Sequence, residues 1–161
     1  MLTKQLIQHV QQNFKLDLKG IHGTSHWARV CYNGRLLQYL SKDGDLAVIE
    51  LFAFIHDSQR LSDSGDEEHG PRAAVFAIEQ NSKLFNLNDY QLEKLVAACN
   101  GHTAQLFHDD LTVQICWDSD RLDIGRCKTH IDPAYLGTKA AKLEAVQRQA
   151  LARSRANIIR L

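Results

Sequence analysis

Apolar residues recur along this chain at the spacing of helices rather than of strands. Near the N-terminus, Leu2, Leu6, Val10 and Phe14 form an i, i+4 stripe that ends before Gly20. The same periodicity predicts further helices over residues 24–40, 46–56, 67–80, 89–102, 110–124 and from 138 to the C-terminus. Alternating runs bounded by hairpin turns are absent from the sequence. We therefore predict an all-α fold, a helical bundle of about six or seven helices.

One predicted helix, over residues 46–56, is apolar at almost every position, which is typical of a helix buried on most sides. A polar, turn-rich segment follows it over residues 57–65. The stretch 125–137, which contains Pro133, is the only irregular segment long enough to suggest a functional role. No internal repeat or linker divides the sequence, so we predict a single domain over residues 1–161.

Composition excludes several classes of protein. The 161 residues are 44% hydrophobic and 24% charged, with nine Gly and two Pro, which excludes collagen-like and disordered chains. The 19 basic and 19 acidic side chains cancel, so no overall positive field attracts nucleic acid or an anionic membrane. The charge is unevenly placed, however, because residues 43–123 hold 16 of the acidic side chains. A solvated face explains this acidic centre most simply, and carboxylates that converge on a cation are the alternative.

The cysteines and the apolar runs indicate a compartment. Cys31, Cys99, Cys116 and Cys127 form no CxxC pair, and a chain of this length needs no disulfide. The N-terminus lacks the unbroken apolar stretch of a signal peptide. No apolar run reaches the roughly 18–20 residues of a membrane span, since Glu50 interrupts the best candidate. We expect a cytoplasmic protein that contacts no membrane.

Candidate chemistry begins with the pair His56-Asp57, at the end of the buried helix. An imidazole and a carboxylate buried without partners each cost several kcal/mol, whereas a divalent cation satisfies both. Farther along, the segment 117–123 again places carboxylates among apolar residues. Two other polar residues receive simpler predictions, Arg29 on the polar face of its helix and His22 at the surface.

With these residues in place, the sequence resembles the HD-domain superfamily of metal-dependent phosphohydrolases. That signature is one His, a His-Asp doublet at the end of a buried helix, and a distal Asp. His26, His56-Asp57 and Asp120 match it in order and in helical context, over about residues 22–126. The resemblance implies a helical fold in which these four side chains hold a metal ion.

Two further histidines, His69 and His102, lie between the doublet and the last Asp. Some HD enzymes resemble this chain in using two such histidines to complete a second metal site, with Asp57 between the ions. The interval from Asp57 to His69 is short beside two-metal relatives, so both one ion and two ions remain open. For His69 the alternative is a solvent-facing position in the first turn of its helix.

The resemblance also implies a mechanism. Mixed imidazole and carboxylate ligation suits Mn, Fe, Co, Ni or Zn better than Ca, and a metal-bound hydroxide would attack a phosphoester or phosphoanhydride. Asp57 is the candidate catalytic residue, because it could orient the attacking water. Arg60, one helical turn beyond His56, is the first candidate for gripping a phosphate oxygen, and Arg121 and Arg126 are weaker ones.

The implied partner is a small phosphorylated substrate, of which a nucleotide is one example. Two other classes stay open. One is an HD-type di-iron oxygenase, since the six-ligand set resembles that arrangement too. The other is a non-catalytic HD module that binds a metal or a nucleotide. The sequence favours no oligomeric state.

Overall fold

Seven α-helices make up the computed structural model, which describes residues 2–157. They are α1 (Lys4–Asn13), α2 (Thr24–Ser41), α3 (Leu46–Ile55), α4 (His69–Gln80), α5 (Asp89–Gly101), α6 (Leu111–Arg121) and α7 (Glu144–Arg155). Two short 3-10 turns, Ile124–Arg126 and Pro133–Tyr135, follow α6. The described residues contain no β-strand, only an isolated bridge between Asn81 and Phe85. The all-α prediction is therefore confirmed, in one compact domain.

Capping side chains fix where several helices begin. Asp45 accepts hydrogen bonds from the backbone amides of Ala47 and Val48 at the start of α3. Asn88 and Gln91 form a capping box at the start of α5. Asp110 caps α6 in the same manner as Asp45. Each of these caps satisfies amides that have no partner inside the helix.

Helix α3 lies at the centre of the bundle, in contact with α1, α2, α4, α5 and α6. Its side chains from Val48 to Ile55 are buried except at Glu50, as the sequence predicts. Gly34 allows α2 to approach it closely, because a Cβ there would lie 2.4 Å from Cγ2 of Ile49. The end of α3 is consequently enclosed by the helices around it, and the His56-Asp57 pair follows directly.

Three predicted boundaries differ from the structure by two residues or more. Helix α4 begins at His69 rather than 67, because the preceding turn is held by Asp66, whose carboxylate binds Arg72 and the amide of Leu61. Helix α6 ends at Arg121, and the chain continues as a 3-10 turn. The last helix begins at Glu144 rather than 138, because the amides of residues 137 and 138 bind the Asp118 carboxylate. The end of that predicted helix, residues 158–161, lies outside the described residues.

None of the helices in residues 2–157 is both long enough and apolar enough to cross a membrane.

Candidate metal centre

The predicted metal ligands come together at one place, where helix ends meet around the end of α3. Each sits at or near the end of a helix: His26 in the first turn of α2, His56 and Asp57 after α3, His69 at the start of α4, His102 after α5, and Asp120 in the last turn of α6. The four imidazoles and Asp57 are buried, and the side chain of Asp120 is 19% exposed.

The first cluster consists of His26, His56, Asp57 and Asp120. Nε2 of His26 lies 3.2 Å from Nε2 of His56 and 3.4 Å from Oδ2 of Asp57. Oδ1 of Asp120 lies 3.4 Å from Nε2 of His26 and 3.8 Å from Nε2 of His56. Ligands bound at 2.0–2.2 Å to one ion stand about 2.8–3.6 Å apart in octahedral or tetrahedral geometry. The spacing of the cluster is close to that range.

The second cluster uses the other oxygen of Asp57. Its Oδ1 lies 3.2 Å from Nε2 of His69 and 3.8 Å from Nε2 of His102. The two imidazole nitrogens are 2.9 Å apart. Two groups of buried ligand atoms, His26-His56-Asp57 and Asp57-His69-His102, could therefore each hold a metal ion, with Asp57 common to both.

Hydrogen bonds on the far side of three rings fix which nitrogen faces the centre. Nδ1 of His56 binds the carbonyl of Phe52 at 3.0 Å, and Nδ1 of His102 binds the carbonyl of Cys99 at 2.7 Å. Nδ1 of His69 binds the carbonyl of Asp66. A carbonyl only accepts, so each Nδ1 carries the hydrogen and each Nε2 of a neutral ring presents a lone pair to the centre. Lone pairs of His69 and His102 at 2.9 Å repel each other unless a cation lies beside both.

His26 is oriented by a carboxylate instead. Its Nδ1 lies 2.8 Å from Oδ2 of Asp123, which is 1% exposed. Asp123 also accepts hydrogen bonds from Nε and Nη2 of Arg29, at 2.6 and 3.1 Å, and from the hydroxyl of Ser154. Partners of this kind hold a ligating histidine in one orientation. The donor set and its supporting hydrogen bonds fit a metal ion.

Sequence reasoning missed this supporting shell. Arg29 is buried, so its predicted place on the polar face of α2 is wrong. His22 is 6% exposed and its Nδ1 lies 2.9 Å from Asp63, so its predicted surface position is also wrong. Asp123 was visible only as one of several clustered carboxylates, because its partner His26 is 97 positions away in the chain.

The charges within the centre favour a bound cation. Burial lowers the pKa of His56 to about 3, although Asp57 and Asp120 oppose that shift. Burial opposes ionisation of Asp120, but His56 and Arg126 lower its pKa to about 2. The pKa of Asp57 is held well below its usual value against the effect of burial, by His56 first and then by His102, His26 and His69. Two ionised carboxylates thus share a buried site with a neutral His56.

His26 differs from His56 in the direction of its pKa shift. Burial and the charge of Arg126 lower its pKa, but Asp123, Asp57 and Asp120 together outweigh them and raise it.

The two arginines predicted to bind substrate contact protein atoms. Arg60 donates from Nε to Oδ1 of Asp57 at 2.8 Å and from Nη1 to the carbonyl of Ser62. Arg121 donates to the backbone carbonyls of residues 105, 106 and 135. A role of Arg60 or Arg121 in binding substrate stays a prediction.

Two cavities border the second cluster. One, of about 550 Å³, has His102 in its wall, and residues of the irregular segment 125–137 line it, among them Lys128, His130 and Tyr135. The other, of about 440 Å³, is bordered by His69. Thr103 lines both. The larger cavity has the size of a small-molecule site and opens beside a candidate ligand.

A scan against protein-family models found no match for this chain, and neither did searches of curated proteins and of solved structures. The similarity to the HD-domain superfamily therefore depends on the signature residues, and the two His/Asp clusters that the structure forms are compatible with it.

Proposed function

We propose that this protein is a metal-dependent phosphohydrolase that acts on a small phosphoester or phosphoanhydride, such as a nucleotide. The observation that carries the proposal is the position of Asp57, whose two oxygens face two separate pairs of buried imidazole nitrogens. Carboxylate-linked sites with ions about 3.5–4 Å apart are characteristic of two-metal hydrolysis.

In this proposal His26, His56, Asp57 and Asp120 hold one ion, and Asp57, His69 and His102 hold the second. The ions are drawn from Mn, Fe, Co, Ni or Zn, which suit mixed imidazole and carboxylate ligands. A bound divalent ion lowers the pKa of water from 15.7 toward about 7 and neutralises charge on a phosphoryl oxygen.

Other contributions come from the side chains around the centre. Ionised Asp57 is fixed by Arg60 at 2.8 Å, so its direction within the centre is set before substrate arrives. The buried surroundings of the imidazoles exclude bulk water and strengthen the electrostatic interactions inside. The 550 Å³ cavity receives the organic part of the substrate, and Lys128 in its wall attracts an anion.

The experiment that tests this function combines elemental analysis of purified protein with a panel of phosphatase and phosphodiesterase substrates, run with Mn, Fe, Co, Ni, Zn and Mg. We expect about one to two equivalents of transition metal and hydrolysis of a phosphoester. Asp57→Ala and His56→Ala should abolish both. His9→Gln, on α1 and outside the clusters, is the matched control. Wild-type metal content in both centre variants would refute the metal site.

The same paired donor set also fits a di-iron oxygenase, because both clusters combine imidazole with carboxylate. Turnover that requires Fe(II) and oxygen, and that Mn(II) does not support, would favour that activity over hydrolysis. Bound metal with neither kind of turnover would favour a non-catalytic module.

A further inference from the structure

Arg126 lies beside the first cluster with most of its hydrogen-bonding capacity unused. It ends the 3-10 turn Ile124–Arg126 that follows α6, and its side chain is 11% exposed. Its one hydrogen bond to a described residue runs from Nη1 to the backbone carbonyl of Asp123, at 3.0 Å. Its Nε is buried and has no partner in the part of the chain that the structure describes. Because a guanidinium has five N–H donors, this side chain is far from satisfied.

The carboxylates near Arg126 are too distant to use those donors. Nη2 of Arg126 lies 3.8 Å from Oδ1 of Asp120, and Nη1 lies 3.9 Å from Oδ2 of Asp123. Both separations exceed a hydrogen bond, although the charges still attract. Asp120 is directed toward the imidazoles of the centre, and Asp123 already binds Arg29 and His26.

The other arginines around the centre are engaged by protein atoms. Arg29 makes two hydrogen bonds to Asp123 and a third to Asn157. Arg60 binds Asp57 and a carbonyl, and Arg121 binds three carbonyls. Among the arginines that border the clusters within residues 2–157, Arg126 therefore makes the fewest hydrogen bonds to protein atoms and has the most donors to offer to a ligand.

The charge of Arg126 acts directly on the candidate ligands. It contributes to lowering the pKa of Asp120 and opposes protonation of His26. A ligand placed between Arg126 and the first cluster would therefore lie between a guanidinium and a bound cation. A guanidinium presents parallel N–H groups that match two oxygens of a tetrahedral oxyanion.

We infer that Arg126 forms an oxyanion site at the edge of the first cluster and binds the phosphoryl group of the substrate. The inference depends on the proposed function for the identity of that oxyanion as a phosphoryl group. It assigns to Arg126 the contact that sequence reasoning gave first to Arg60. Anion binding should be tighter with metal present, because the charges of Asp57 and Asp120 repel an anion from the metal-free centre.

The test measures binding of inorganic phosphate by calorimetry, to metal-loaded and to metal-free protein, with metal content determined on the same samples. We expect Arg126→Gln to weaken phosphate binding at least tenfold while metal content stays at the wild-type value. Arg126→Lys should recover part of the affinity, because lysine restores the positive charge but not the parallel N–H groups of the guanidinium. Arg148→Gln is the matched control, since that arginine is 72% exposed on α7 and should bind phosphate as wild type does.

Several outcomes would overturn the inference. Equal phosphate affinity in wild type and Arg126→Gln would remove Arg126 from the site. Loss of metal in both Arg126 variants, with helical content retained, would make Arg126 a support for Asp120 instead. Absence of phosphate binding by the wild type in either form would also overturn it. The proposed function can fail separately. If phosphate binding depends on Arg126 but the protein hydrolyses no phosphoester, the proposed activity is refuted and the oxyanion site stands.

Discussion

Asp123→Asn should weaken metal binding without removing any ligand. Asp123 accepts hydrogen bonds from Nδ1 of His26, from two nitrogens of Arg29 and from Ser154. An amide keeps the shape of the carboxylate, but it loses the charge and turns an NH₂ group toward groups that themselves donate. The ring of His26 is then free to rotate, and its Nε2 is no longer held toward the centre.

Two magnitudes follow from these contacts. Loss of the partner that orients a metal-bound histidine typically lowers metal affinity about 10–100-fold. Breaking a buried ion pair from one side costs about 3–5 kcal/mol, since the guanidinium of Arg29 remains buried without its counter-charge. That cost is a large part of the roughly 5–15 kcal/mol that stabilises a typical domain. The variant should therefore be folded, but much easier to unfold.

The assay pairs urea unfolding monitored by circular dichroism with a cobalt or manganese titration in native buffer. Asp118→Asn is the matched control, because Asp118 is a buried carboxylate of α6, five positions earlier in the chain, that binds Gln114 and the amides of residues 137 and 138. It should lower the free energy of unfolding and leave metal affinity unchanged. Equal losses of metal affinity in the two variants, or wild-type affinity in Asp123→Asn, would refute the orienting role of Asp123.

Two further predictions concern helix ends and helix contacts. Burial opposes ionisation of Asp110, but its hydrogen bond with Lys94 lowers the pKa of the carboxyl group in the folded protein. The ionised carboxylate therefore stabilises the fold above the unfolded pKa of about 3.9. This contribution is lost as the pH falls through the pKa of Asp110 in the folded state. Unfolding free energies measured from pH 6 to pH 2 should thus fall less steeply for Lys94→Met than for wild type, and equal slopes would contradict this. Gly70→Ala should lower the free energy of unfolding in urea by about 1–3 kcal/mol and weaken metal binding at the second cluster. The new Cβ would lie 2.6 Å from the carbonyl of Cys99 and 3.3 Å from the ring of His102. A variant as stable as wild type, with unchanged metal stoichiometry, would contradict that contact.

The fold was predictable from the sequence because its signals are local. Helical periodicity and caps such as Asp45 act over a few residues, so they can be read from the chain. The boundary that was most in error depends on a distant contact. The start of α7 is delayed by Asp118, whose carboxylate binds amides 19 and 20 positions later. No local pattern around residue 138 reveals that attachment.

The candidate site, like the fold, could be predicted from the sequence only in part. The candidate ligand positions could be picked out by their resemblance to the HD signature in its helical context, and the structure brings these side chains together. The roles of the neighbouring carboxylates could not be predicted, because they depend on the direction in which each of several similar side chains points. Asp118, Asp120 and Asp123 share one short segment, yet Asp118 binds a loop, Asp120 faces the imidazoles and Asp123 supports His26. Burial and partners separate them, and sequence spacing does not.

The helix ends themselves explain how the imidazoles are aimed. A histidine at a helix end can donate Nδ1 to a backbone carbonyl three or four residues earlier, because a carbonyl oxygen has two lone pairs and can accept this bond beside an amide. His56 does so to residue 52 and His102 to residue 99, and His69 reaches back to residue 66 in the turn before α4. This local bond fixes the neutral tautomer and leaves Nε2 pointing beyond the helix end. His26, in the first turn of α2, makes no such bond to a carbonyl. Its Nδ1 is oriented instead by the carboxylate of Asp123, 97 positions later in the chain.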